Sequence, residues 1–195
     1  PSLTNAAEAG VGPWHEAQIV RLLRTGAAQQ GAASGPMAEV VFHGTQYLTE
    51  ADAAAMAAYL KGLPQQAAAR PDAPPNAAPS RLATAGAKLY EQHCAACHGA
   101  QGEGVPGAYP PLAGNRAVTL AQTENLLQTV LHGGFGPATA GRPRPYGMPP
   151  FTLTLSDTEI AAVLSHIRSA WGHRASEVSP LQVLQMRQAS SGNLR

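Results

Sequence analysis

Cysteine is nearly missing from this chain: Cys94 and Cys97 are the only two in 195 residues. That leaves too few soft ligands for a tetrahedral structural zinc site. Charge is scarce as well, at 13% of residues and a net +1, which excludes the basic stripe of a nucleic-acid binder. Aromatic residues make up 5%, and β-branched residues are sparse, so a sheet protein is not expected. No apolar run approaches the ~20 residues that span a bilayer. A start at Pro1, with neither Met nor a charged-then-apolar leader, is expected of a processed or excised product. What is plentiful is Ala, Gly and Pro, the composition of an all-α protein with long loops.

Both cysteines fall in one motif, Cys94-Ala95-Ala96-Cys97-His98. C-x-x-C-H is the attachment pattern of c-type haem. Two thiols at this spacing can form thioethers to the two vinyl groups of one porphyrin, and the adjoining histidine is held beneath the iron. A thioredoxin-like redox motif is the rival reading, but no alternating β-rich run precedes Cys94. One covalent haem c is therefore expected, with His98 as proximal ligand. Covalent haem in turn implies a location outside the cytoplasmic membrane.

Residues 80–93 predict a helix with Ser80 as cap and Leu82, Ala85 and Leu89 on one face. Gly86 and Tyr90 lie one turn apart, a small residue for close helix approach beside an aromatic filler. A second helix is predicted over about 120–132, stopped by Gly133. The Pro/Gly loop from Gly136 to Pro150 carries Met148. A third helix opens on the capping box Ser156–Glu159 and presents Ile160, Val163, Leu164, Ile167 and Trp171 before Gly172. The N-terminal third repeats the second half of this layout. The spacing from Gly26 to Gly133 equals that from Thr49 to Ser156, and each copy holds one loop methionine, Met37 or Met148. The expected domains are a half-unit over 1–64, a Pro/Ala-rich linker over 65–79, a complete unit over 80–172 and a tail over 173–195.

An iron that only moves electrons needs a sixth ligand, and Met148 is the expected one. It sits between Gly147 and Pro149-Pro150, where prolines rule out a regular helix. Met56 reads as core filler on a helix stripe, and Met186 as a packing or solvent-exposed tail residue. His132 and His173 are alternatives to Met148. His132 stands at a helix end, where a surface role is expected. His93 is too close to Cys94 to reach across the same haem, and His15, His43 and His166 read as surface or partly packed residues. Pro110 and Leu112 belong to a loop placed to orient the proximal histidine through a backbone carbonyl. Met37 would be a ligand by the repeat, but its attachment motif is not in this sequence, so it is expected as a loop methionine without a ligand role here.

The order helix, C-x-x-C-H, helices, Met-bearing loop and closing helix resembles a class I cytochrome c. The chain as a whole resembles the multi-haem cytochrome c subunits of bacterial membrane-bound dehydrogenases for alcohols, aldehydes and gluconate. The resemblance rests on Gly35-Pro36-Met37-Ala38-Glu39, Cys94-Ala95-Ala96-Cys97-His98-Gly99 and Tyr109-Pro110-Pro111-Leu112-Ala113-Gly114-Asn115. It continues through Tyr146-Gly147-Met148-Pro149-Pro150-Phe151 and Trp171-Gly172. It implies an electron-transfer subunit without catalysis of its own, located in the periplasm and associated with the cytoplasmic membrane. Its implied partners are a dehydrogenase catalytic subunit and a quinone or oxidase acceptor; no nucleic acid is involved. It also implies that residues 1–64 are the end of a second domain whose C-x-x-C-H is absent. A haem enzyme of peroxidase or thiosulfate-oxidising type, or a haem gas sensor, is the alternative, and either requires an open or labile axial position. The tail, with Leu181, Val183, Leu184 and Met186, is expected as a short helix, either docked on its own domain or on a partner or membrane surface.

Overall fold

The computed structural model describes residues 2–6, 8–66 and 80–192, so most of the expected linker lies outside the described residues. The described elements are almost all helical. In the N-terminal part they are α1 (Glu16–Thr25), α2 (Pro36–His43) and α3 (Glu50–Gly62), with a two-residue hairpin β1–β2 (Ala27–Ala28 and Gly31–Ala32). Then follow α4 (Arg81–His93), α5 (Ala95–His98), α6 (Arg116–Thr119) and α7 (Glu124–His132). The antiparallel pair β3–β4 (Gly134–Phe135 and Gly147–Met148) precedes α8 (Asp157–Ser169) and α9 (Pro180–Gly192).

Local chemistry sets the helix starts. The Ser80 hydroxyl accepts from the Ala83 N–H at 3.1 Å, and Thr49 accepts from Asp52 at 3.1 Å. Ser156 and Glu159 close a full capping box at the start of α8. The helix expected over about 120–132 starts later and is the single α7, Glu124–His132. A one-turn α6, capped by Asn115, precedes an extended Leu120, and α7 begins only at Glu124.

α4 and α8 form the main helix–helix contact. Gly86 makes it possible: a Cβ there would lie 1.9 Å from the Ala162 carbonyl oxygen. Tyr90, one turn on, is buried at 3% exposure. Behind this crossing Leu127, Leu131, Ile160 and Leu164 are almost wholly inaccessible, each contributing roughly 1.5–3 kcal/mol of burial. Arg168 is buried among them. Its guanidinium donates to the carbonyls of Val118 at 2.6 Å, Leu120 at 2.8 Å and Ser176 at 2.7 Å, tying α6 and the chain beyond α8 to one helix. Trp171 does not continue the α8 stripe. The helix ends at Ser169, and Trp171 takes a left-handed φ of 53° that turns its ring onto Gly102 and Tyr90.

The tail folds onto its own domain. Val178 and Val183 are fully buried, Met186 packs on the same core, and α9 lies across α7 and α8. Among the described residues no helix is long and apolar enough to cross a membrane. The N-terminal helices build a smaller core around Val11, Ile19 and Ala57. α3 and α8 have the same length, 13 residues, and each starts from its own hydroxyl cap. This third touches the Met148-bearing loop: a Cβ on Gly26 would meet Pro137 at 2.2 Å.

Candidate haem site

α4 delivers the C-x-x-C-H motif. Its last turn ends at Cys94, and one further turn, α5, carries Ala95 through His98. The Tyr90 hydroxyl donates to the Gly99 carbonyl at 2.6 Å and pins the exit of that turn. Gly102 and Gly104 then fold the chain back sharply. The Gly104 N–H bonds the His98 carbonyl at 2.7 Å, and the Leu112 and Ala113 N–H groups bond the Gly102 carbonyl at 2.7 and 2.9 Å. Gly104 is required here, because its φ is +66° and a Cβ would strike the Tyr109 carbonyl oxygen at 2.6 Å.

That loop brings the Pro110 carbonyl to 2.9 Å from His98 Nδ1. With its proton donated to Pro110 from Nδ1, the ring leaves the Nε2 lone pair free as a metal donor. Burial lowers the His98 pKa, with the Pro110 hydrogen bond opposing, so the ring is neutral and able to ligate at pH 7. Burial, reinforced by neighbouring Cys97, pushes the Cys94 thiol up to about 11. Both cysteines are free and partly exposed.

Met148 comes from the segment between α7 and α8. It lies in β4, paired with Gly134, and is partly buried. Gly133, at φ +65°, lets the chain pass so close that a Cβ would sit 2.2 Å from the Met148 carbonyl oxygen. Met148, Leu112, Leu126, Cys94 and Ala95 all pack against the same buried cluster. Met37 is elsewhere and is not in a loop: it occupies the first turn of α2, 59% exposed. Pro36 at a helix N-terminus explains the difference, since its fixed φ starts a helix as readily as it breaks one. Met56 is also 41% exposed and so is not core filler.

The histidines take other partners. His173 hydrogen-bonds the Ile167 carbonyl through Nδ1 at 2.9 Å and accepts from the Gly114 N–H through Nε2 at 3.0 Å. His132 Nε2 lies 3.0 Å from the Ser190 hydroxyl, and His43 pairs with Glu39 at 3.1 Å. His166 packs between Tyr90 and Trp171, where burial lowers its pKa. Among the described residues no three His, Cys, Asp or Glu side chains converge on one point.

Two further side chains in the loop that precedes Met148 each bury a polar atom. Thr139 Oγ1 and Arg142 Nε are buried with no hydrogen-bond partner. Arg142 donates through Nη2 to the Ala108 carbonyl at 2.7 Å, so it bridges the Met148-bearing loop and the loop of Pro110. Buried donors left unpaired are costly unless something outside the chain satisfies them. Such unpaired donors fit an acidic group, a haem carboxylate for example. The sequence signal was the Pro137-Ala138-Thr139 segment, which belongs to the resemblance to the dehydrogenase cytochromes and does not reach Arg142.

The sequence profile of the cytochrome c family matches residues 83–171. The cytochrome c subunit of quinone-type alcohol dehydrogenase from Gluconobacter oxydans (strain 621H) is 36% identical over 181 residues, covering 90% of this chain and 38% of that protein. The fructose dehydrogenase cytochrome subunit of Gluconobacter japonicus is 32% identical over 220 residues, covering 96% of this chain and 43% of that protein. Cytochrome c-552 of Thermus thermophilus is 46% identical over 90 residues, 45% of this chain and 68% of that protein. The chain thus spans about two-fifths of the length of the dehydrogenase subunits it matches. Its helical fold, its C-x-x-C-H motif and these likenesses place the chain in the cytochrome c family, whose members carry covalently bound haem c.

Proposed function

We propose that this chain is a single-electron carrier that holds one haem c, with Cys94 and Cys97 as tethers, His98 as proximal ligand and Met148 as distal ligand. The observation that carries the reading is the pairing of a histidine fixed through Pro110 with a methionine packed against the same cluster as Cys94 and Leu112. Haem c, when bound, supplies an iron that cycles between Fe(II) and Fe(III). The chain's residues do the rest. His98 is held neutral and oriented, Leu112 and Leu126 exclude water, and Thr139 and Arg142 offer donors to the cofactor's carboxylates. A thioether ligand raises the potential and closes the iron to small molecules. A peroxidase-type enzyme or a gas sensor would need that position open, whereas Met148 is tied down on both sides of its short strand.

The named relatives suggest the setting. The chain would pass electrons from a dehydrogenase catalytic subunit, of the alcohol or fructose type, towards a membrane quinone or an oxidase, on the periplasmic side of the cytoplasmic membrane. Residues 1–64 would be the second half of another such domain, with α1 and α3 equivalent to α7 and α8. Met37, on the exposed face of α2, would serve a haem whose attachment motif lies outside this sequence.

Intact mass and spectra test the assignment together. The protein should retain one haem increment after acid–acetone extraction. Its ferric form should show the weak long-wavelength sulfur-to-iron band, and Met148→Ala should abolish that band, lower the potential and admit cyanide or carbon monoxide. Extractable haem would end the attachment assignment, and an unchanged band in the variant would end that of Met148.

A further inference from the structure

Helix α9 lies beyond residues 83–171, the part that matches the family, yet it is bound tightly to the segment that follows Met148. The connection is Arg187. Its Nε donates to Asp157 Oδ1 at 2.5 Å, Nη1 to Thr152 Oγ1 at 2.6 Å, and Nη2 to the Leu155 carbonyl at 2.7 Å. Nη1 also bonds the Thr152 carbonyl. One guanidinium thus gathers both ends of the turn from Thr152 to Leu155 and the first residue of α8. Most of it is shielded from solvent, with 22% of the side chain exposed.

Thr152 is separated from Met148 by Pro149, Pro150 and Phe151 only. Two prolines fix φ in that stretch, so it transmits position rather than absorbing it. The Phe151 and Thr152 N–H groups bond the Val130 and Leu131 carbonyls at 3.0 and 3.2 Å. α9 itself is anchored by fully buried Val183 and by Gln128, which donates to Met186 Sδ at 2.9 Å. A continuous chain of fixed contacts therefore runs from α9 through Arg187 and Thr152 to the backbone of Met148.

We infer that Arg187 is a positioning residue for Met148: α9 acts as a strap whose guanidinium holds the 149–155 segment so that the sulfur stays in place. The inference rests on the reading of Met148 as the distal ligand. The haem-loaded full chain tests it with Arg187→Lys, Arg187→Gln and Arg187→Ala, alongside Met148→Ala. Among folded variants with unchanged far-ultraviolet circular dichroism, cyanide binding to the ferric form should quicken in the order Lys, Gln, Ala. The Ala variant should bind about tenfold faster, the scale of losing a charge-assisted hydrogen bond. The sulfur-to-iron band should melt at lower temperature in the same order, and the Phe151 and Thr152 amides should exchange faster. Wild-type cyanide rates and band melting in any folded Gln or Ala variant would overturn the role of Arg187, provided Met148→Ala still abolishes the band. A band that survives Met148→Ala would instead overturn the ligand assignment beneath it.

Discussion

At the scale of single residues, Gly86 shows how one side chain, or its lack, sets the fold. Alanine would gain up to ~1 kcal/mol of helix propensity there. The new Cβ, however, would lie 1.9 Å from the Ala162 carbonyl oxygen, and a backbone atom inside α8 cannot step aside as a flexible side chain could. Overpacking of this kind costs about 1–3 kcal/mol or more, so the clash wins. Gly86→Ala should destabilise the protein by roughly 2 kcal/mol in urea unfolding, and a variant as stable as the parent would contradict the close crossing. The sequence made this position legible because Gly86 and Tyr90 are a local pattern. It did not reveal how Arg168 ties distant segments together, nor that Thr139 Oγ1 and Arg142 Nε are buried without a partner. Trp171 was placed on a helix face because its spacing fits one, yet its left-handed backbone sets it beyond the helix end.

Among the elements, α8 carries the strongest start signal, and its chemistry is pH-dependent. The Ser156 backbone N–H, and then its hydroxyl, lower the pKa of Glu159 below the ordinary glutamate value. A carboxyl depressed in the folded state stabilises above its unfolded pKa, and that stability is lost as pH falls through the depressed value. Ser156→Ala should remove the cap at a cost of about 1 kcal/mol at neutral pH. It should also move the Glu159 titration, followed by NMR, up towards the ordinary value. No movement would mean that the capping box does not hold in solution. Caps and Gly stops were readable because they are written in adjacent residues. Met37 was expected in a loop by its place in the repeat, whereas Pro36 opens α2 and puts Met37 in its first turn.

For the whole molecule, the question is whether the N-terminal third is a folded unit. Isolated helices as short as α1 and α3 are marginal in water, so their order must come from packing. Ile19, Ala53 and Ala57 are buried, and the Gly26 turn abuts Pro137 of the Met148-bearing loop. Amides across 16–25 and 50–62 should therefore exchange slowly in the full chain. Immediate exchange there would leave the repeat as a sequence echo without a folded counterpart. The all-α class, the attachment motif and the Met148-bearing loop were legible because each depends on a short run of residues. The docking of α9 was left open between its own domain and a surface, because an amphipathic helix does not specify what covers it.

The crossing of α4 and α8 also has a consequence in time. A chain made from its N-terminus presents Cys94 and Cys97 long before Ala162 exists to meet Gly86. Until then α4 is a short helix without its main partner, and such distant contacts form late because the intervening loop must close first. If Cys94 and Cys97 are the haem tethers proposed above, both thiols would be accessible on an open chain, and their partly shielded setting would form only once α8 has emerged.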